Sequence, residues 1–346
     1  MTLFNKQKIR GYFGKPLQML GYKTGLMKLT SRLQKYEGAI ILMYHSVADN
    51  TKSKWIDPQN HIAADIFAEQ MDFLAKNRNV IPLDELLSIV KQQKNPPSGT
   101  VAITFDDGYL DNLDVAAPIL ERYNFIATLF LPTKYIDRGE TQWIDQVYSA
   151  FKFRTNKILE WGLASIVRYN LNQTNQFEMA YKAVCKDLII ANPEKRHELL
   201  EDLKNQLTPD KLPPRLTMTW DDIKTLQKDY KCFQFGGHTL EHTDLTNVSE
   251  EVAVNELLSC ASEIKKEINI YPENISFCYG RTSENLRRIT AEAGFKSACG
   301  GEGTGPLVHS RTNIFRLPRV PAPISMKKFD LVTSSYNNGF WKKIGR

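Results

Sequence analysis

Val101-Ala-Ile-Thr-Phe105, followed at once by Asp106-Asp-Gly108, is the stretch that decides the fold. Five apolar or β-branched residues with no alternating polar face read as a strand buried on both sides, as in parallel sheets. Two acids then meet a glycine that permits a sharp turn, and parallel α/β folds collect functional groups at the C-terminal ends of their strands. Neighbouring acids there point in different directions, so one can bind a metal while the other stays free as a base. In the plainer reading both merely cap the next helix.

Outward from this stretch the same pattern recurs. Ala39–Tyr44, Ala127–Leu131, Cys232–Phe235, Ile275–Tyr279 and Phe315–Val320 are further strand candidates. Helix-like periodicity separates them at Ala64–Asn77, Leu83–Gln92, Asn112–Tyr123, Asp221–Lys228, Ser249–Ile268 and Ser283–Ala293. Ser249 before Glu250-Glu251, and Thr219 before Trp-Asp-Asp222, supply helix starts. Alternation of this kind predicts a parallel α/β architecture.

The pattern breaks at residues 137–214, where Trp143, Tyr148, Phe151, Trp161, Tyr169, Phe177 and Tyr181 lie among many charges. This stretch reads as a helical insertion with no repeated strand, either a wall over the site or padding outside it. Residues 1–37 form a basic segment with scattered apolar side chains. A membrane-surface amphipathic helix is one reading, giving peripheral membrane association; a helix packed on the fold or a frayed tail is the plainer one. The remaining boundaries fall at 38–330 for the main domain and 331–346 for a C-terminal tail.

With 346 residues, 42% hydrophobic and 24% charged, the chain can bury a full core and is ordinary in composition. Its net charge of +6 is spread along the chain except at the start, so nucleic acid is not an expected partner. Five cysteines, none arranged as C-x-x-C, suggest neither a disulfide framework nor a zinc ribbon. A reducing compartment fits them, and the N-terminus lacks the apolar core of a secretory signal. The expected location is cytoplasmic, at the inner face of the membrane if the basic start binds lipid.

Chemistry converges on three distant stretches. His238 and His242, in Gly237-His-Thr-Leu-Glu-His242, sit four residues apart and follow a strand candidate, so both imidazoles can face one ion. H-x-x-x-H is a weak signal alone, but the chain has only six histidines and the Asp106-Asp107 pair offers a third ligand. One Asp and two His around a divalent metal with open positions make a site for activating water. Zinc is the first choice for such mixed ligands, with cobalt or nickel also fitting. Phe277-Cys-Tyr-Gly280 is the third stretch; Cys278 has no evident base and is a poor nucleophile candidate.

Across residues 40–320, the insertion excepted, the chain resembles the polysaccharide deacetylases of carbohydrate esterase family 4, which share the NodB homology domain. The resemblance implies a distorted (β/α)7-type barrel, an N-acetylated saccharide substrate and hydrolysis of its amide bond. Thr104-Phe-Asp-Asp-Gly-Tyr109 matches the first family motif, making Asp106 the catalytic base and Asp107 a metal ligand. His238-Thr-Leu-Glu-His242 matches the second, making both histidines ligands. Tyr279 matches the end of the third, where its backbone N–H helps hold an oxyanion. The arginine that usually steadies the base is missing from that motif, so the role passes to Arg319 or Arg316. The general acid is His45, in Leu42-Met-Tyr-His45, by resemblance to a permuted subset acting on poly-N-acetylglucosamine. His309, in Leu307-Val-His309, is its competitor. Three other readings stay open: a glycan-binding module with a degenerate site, an esterase removing O-acetyl groups, and the same hydrolase acting on a lipid-linked or nucleotide-linked sugar at the membrane face.

Overall fold

A computed structural model describes residues 38–48, 52–301 and 304–334, so the expectations for residues 1–37 and most of those for the C-terminal tail lie outside the described residues. Its centre is an eight-stranded parallel sheet. The strands are β1 (Ala39–Tyr44), β4 (Asn79–Val80), β5 (Thr100–Asp106), β6 (Ala127–Leu131), β9 (Phe233–Gly237), β10 (Asn274–Ser276), β11 (Ser297–Cys299) and β12 (Val320–Pro321). β2 (Ser46–Ala48) and β3 (His61–Ala63) form a small parallel pair, and β7 (Ile158–Trp161) and β8 (Val167–Asn170) an antiparallel one. The main order is β11-β10-β9-β6-β5-β1-β12, with β4 beside β5.

β12 pairs with β1 through Leu42 and Val320. Just before it, Leu317 bridges Cys299 of β11 in parallel, its N–H reaching the Ala298 carbonyl at 3.0 Å. The two sheet edges therefore meet through one segment, giving the expected distorted barrel. Every residue of β5 and β6 is buried, which is why neither shows a polar alternation. Ile40, Leu42, Ile103, Phe105, Leu129 and Phe67 pack together in the largest core cluster.

Several helices match their predicted spans: Ala64–Asn77 in full, Leu83–Lys91 and Glu250–Ile268 within a residue. Ser249 Oγ accepts from the Val252 N–H, and Thr219 and Asp222 form a reciprocal capping box. The strand expected at Phe315–Val320 is a correction: only Val320–Pro321 pairs as a strand, because Pro318 brings no N–H to a ladder. Likewise β10 stops at Ser276, and Cys278–Gly280 is a tight turn in which Tyr279 has φ of 60°. The helix Met326–Thr333 carries structure past residue 330; Phe329 is buried and Asp330 pairs with Arg78 at 2.5 Å.

The insertion is not purely helical, a second correction. Its helices Trp143–Lys152, Thr174–Ile190 and Pro193–Leu207 enclose the β7–β8 hairpin. Trp143, Phe151, Leu159, Trp161, Val184 and Leu203 give it a core of its own. Arg196 anchors it to the barrel: only 2% exposed, it donates to the carbonyls of Leu188 within the insertion and Glu241 outside it, both at 3.1 Å.

Candidate active site

The buried strand β5 delivers Asp106 as its last residue, and the chain turns at once, with Asp107 at φ 71° and Gly108 at φ 63°. The positive φ at Gly108 is what favours glycine there. β9 delivers the histidines. A Cβ on its Gly236 would lie 2.5 Å from the Phe130 ring, so a bare backbone is what lets β9 close onto β6.

Eight non-glycine residues have positive φ among the described residues. Gln93, Asn124, Thr208 and Asn269 follow helix ends, where this conformation is an ordinary terminator. Asp107, Thr239, His242 and Tyr279 all belong to the site. Strain of this kind persists only where the surroundings over-determine the backbone.

The Nε2 atoms of His238 and His242 lie 3.4 and 3.2 Å from Asp107 Oδ1. That oxygen is buried without a hydrogen-bond partner. His238 Nδ1 is 2.7 Å from the Ser276 carbonyl, which can only accept, so Nδ1 carries the proton and Nε2 presents its lone pair inward. His242 Nδ1 lies 3.3 Å from the Tyr279 hydroxyl, which also takes the Trp143 indole N–H at 3.2 Å. Ligand atoms around a tetrahedral ion bound at ~2.0–2.1 Å stand roughly 3.3–3.4 Å apart. One carboxylate oxygen at this spacing from each of two ring nitrogens fits a divalent cation. The buried Cys278 thiol also lies within 4.8 Å of both imidazoles' ligand atoms. It contacts Thr239 Oγ1 at 3.6 Å and the His238 carbonyl at 3.7 Å, so it already has polar partners, whereas Asp107 Oδ1 has none.

Arg319 grips Asp106 with both arms of its guanidinium, and reaches Ser276 Oγ at 2.6 Å and Thr104 Oγ1 at 3.1 Å. Burial pushes the Asp106 carboxyl up, but Arg319 and His238 outweigh it and hold the pKa below its ordinary value. At Asp107 burial is outweighed by His242 and His238, and the pKa falls well below the carboxylate range. Both acids are thus held ionised in a site where Asp106 is 2% and Asp107 4% exposed.

A cleft of about 1100 Å³ opens over these groups. His45, Asp106, Asp107, His238, His242, Tyr279 and Arg319 all line it, whereas His309 and Arg316 do not. His309 is exposed and caps its own turn, its Nδ1 accepting from the Arg311 N–H at 3.2 Å. His45 follows β1 directly, and its carbonyl accepts from Asn112 Nδ2 at 2.8 Å. The insertion forms one wall of the cleft through Gln142, Trp143, Ile144, Tyr181 and Ile189, which decides between wall and padding. Sequence reasoning missed Ser276, Thr104 and the Tyr279 hydroxyl as partners of the site; all three lay inside or beside strands already recognised, without a pattern that marks a polar contact.

Residues 93–298 match the model of the polysaccharide deacetylase family. The chain belongs to that family. YxkH of Bacillus subtilis (strain 168) is 35% identical over 98 residues, 28% of this chain and 32% of that protein, so the match spans about a third of the relative's length. Among solved structures, the Streptococcus pyogenes deacetylase PplD in complex with acetate is similar at a TM-score of 0.54 and 17% identity, covering 88% of this chain and 97% of that one. IcaB from Ammonifex degensii is similar at 0.51 and 14%, covering 88% and 98%. At these identities the structural likeness concerns the fold.

Proposed function

We propose that this protein is a metal-dependent hydrolase that removes the N-acetyl group from a sugar within a saccharide. The observation that carries the reading is the unpartnered Asp107 Oδ1 facing two imidazole nitrogens, beside a second carboxylate held ionised by Arg319. Asp107, His238 and His242 would hold a divalent cation, zinc by first choice. When bound, it supplies a water of lowered pKa and polarises the acetyl carbonyl.

The remaining work falls to the chain. Asp106 accepts the proton of the attacking water, and Arg319 fixes the orientation in which it does so. The backbone N–H of Tyr279 donates to the acetyl oxygen as negative charge develops, where such a donor is typically worth about 2.7–4 kcal/mol. His45 protonates the nitrogen as the carbon–nitrogen bond breaks, so the products are acetate and a neutral amine rather than an amide anion.

The test is acetate release from N- and O-acetylated saccharides followed by mass spectrometry, with a chelator control. Release from N-acetylated sugars that stops with chelator and returns with zinc supports the reading. Zinc-loaded protein that frees acetate from none of them ends it, and release from O-acetyl sugars alone replaces it with the esterase reading.

A further inference from the structure

His45 stands where the chain changes sheets. Tyr44, the last residue of β1, pairs with Phe105 of β5, while Ser46, the first of β2, pairs with His61 of β3, and His45 belongs to neither strand. β1 and β5 run parallel, so one step beyond the pair of Tyr44 and Phe105 lie His45 and Asp106, the proposed acid and base. A residue outside both ladders needs another hold if its imidazole is to keep one place in the cleft, and small misplacements of a reacting group are costly.

Two neighbouring residues supply that hold. Asn112 Nδ2 donates to the His45 carbonyl at 2.8 Å and to Asp111 Oδ1 at 3.2 Å. The same Asp111 oxygen accepts from the Val47 N–H at 2.9 Å, and its Oδ2 accepts from the Ser46 hydroxyl at 2.7 Å. Ser46, Asp111 and Asn112 are 1%, 3% and 0% exposed, so water does not compete for these bonds. The chain is thus gripped at His45, Ser46 and Val47 in succession.

The grip has a cost that packing alone would avoid. Asn112 Oδ1 is buried without a hydrogen-bond partner, a penalty that a leucine filling the same space would not carry. The clamp also lies on the stretch that leaves β5, so the segment bearing Asp106 and Asp107 takes hold of the backbone that bears His45. We infer that Asp111 and Asn112 are positioning residues for the reaction: through the backbone of residues 45–47 they aim the His45 imidazole at the departing nitrogen. They act through His45 and not on the substrate. This rests on the function proposed above.

The experiment compares kcat/KM for the N-acetylglucosamine tetramer and for para-nitrophenyl acetate, using the zinc-loaded full chain and its variants. An amine needs a proton to leave and a nitrophenolate does not, so the ratio of the two rates reads the acid alone. Asn112→Ala is expected to lower that ratio about ten-fold, the upper end of what one hydrogen bond is worth. Ser46→Ala gives up one bond of the clamp, should lower the ratio about three-fold, and decides the matter if Asn112→Ala does not fold. In a His45→Ala background neither change should lower the ratio further. Equal slowing of both substrates, or a further fall in that background, overturns the clamp. If the wild type frees acetate from no saccharide, the proposed reaction has failed, and NMR of ring-labelled histidine reads the clamp by itself, the His45 signal being assigned by its loss in His45→Ala. A His45 signal shifted or broadened by Asn112→Ala or Ser46→Ala then supports it, and an unmoved one overturns it.

Discussion

Arg319 holds both carboxylate oxygens of Asp106, at 2.7 and 2.6 Å, across 213 residues of sequence. Bidentate contacts of this kind fix orientation as well as charge. Both partners are nearly inaccessible, with side-chain exposures of 7% and 4%, so neither charge is compensated by solvent when the other is removed. The segment bearing Arg319 is also the one through which the sheet edges meet, so closing the barrel and aiming the base are the same structural act.

Arg319→Gln is expected to destabilise the fold by about 3–5 kcal/mol, the usual cost of stranding one member of a buried ion pair. In denaturant melts Arg319→Lys should lose less, since it keeps the charge and gives up the fork. The kinetic sign follows from the same contact. Burial raises the Asp106 pKa and Arg319 lowers it, so without Arg319 the carboxylate protonates at higher pH. The acidic limb of the kcat/KM profile should therefore move to higher pH in Arg319→Gln, and a limb that stays in place removes Asp106 as the base.

Metal and rate should separate. His238→Ala and Asp107→Ala each remove a ligand and are expected to lose both bound metal, by elemental analysis, and activity. Asp106→Asn should keep its metal and lose the rate by about 10²–10⁴, the usual worth of a positioned general base. Near-normal turnover in Asp106→Asn would refute that assignment.

The two candidate acids are now unequal in position. His45 lines the cleft and His309 lies outside it. His45→Ala should collapse kcat with metal content intact, while His309→Ala stays within two-fold of the wild type (about 0.4 kcal/mol, within ordinary surface-substitution effects). The reverse pattern would transfer the role to His309.

Asp145 provides a pH test away from the metal ligands. Burial is the main cause that pushes its carboxyl up to about 8. A folded pKa above the unfolded value means the native state binds the extra proton, so stability falls as pH rises between about 4 and 8 and levels off beyond. Asp145→Asn cannot titrate and should flatten that slope in melts recorded across this window. An unchanged slope would assign the pH dependence to other groups.

How much of this was legible in the sequence depends on how each signal is encoded. β1 and β6 are uninterrupted apolar runs, and their predicted limits match the structure residue for residue. The β7–β8 hairpin escaped because its strands have four residues each and their buried positions, Leu159, Trp161 and Tyr169, sit among Glu160, Arg168 and Lys157. Phe315–Val320 looked like a strand by apolar content, and Pro318 outweighed that. Asp106, Asp107, His238 and His242 were readable because motif spacing survives in one dimension. Trp143 and Arg196 were not, because what matters about them is which loop they touch after the insertion folds back. No periodicity records that.

Trp143 gives this last point a measurable form. With Nε2 of His242 given to a metal, its Nδ1 carries the proton and donates to the Tyr279 oxygen, which also takes the Trp143 indole N–H. Burial is the main cause that raises the Tyr279 pKa, so the phenol stays neutral and available as an acceptor. Partners of this kind usually change metal affinity by about 10–100-fold. Tyr279→Phe removes the acceptor outright and should weaken zinc binding within that range, measured by competition with a chromophoric chelator. Trp143→Phe keeps an aromatic ring, gives up the N–H donated to Tyr279 and should weaken it less. Because the two lie on one chain of hydrogen bonds, the double variant should bind zinc no worse than Tyr279→Phe, and additive losses would show that they act separately.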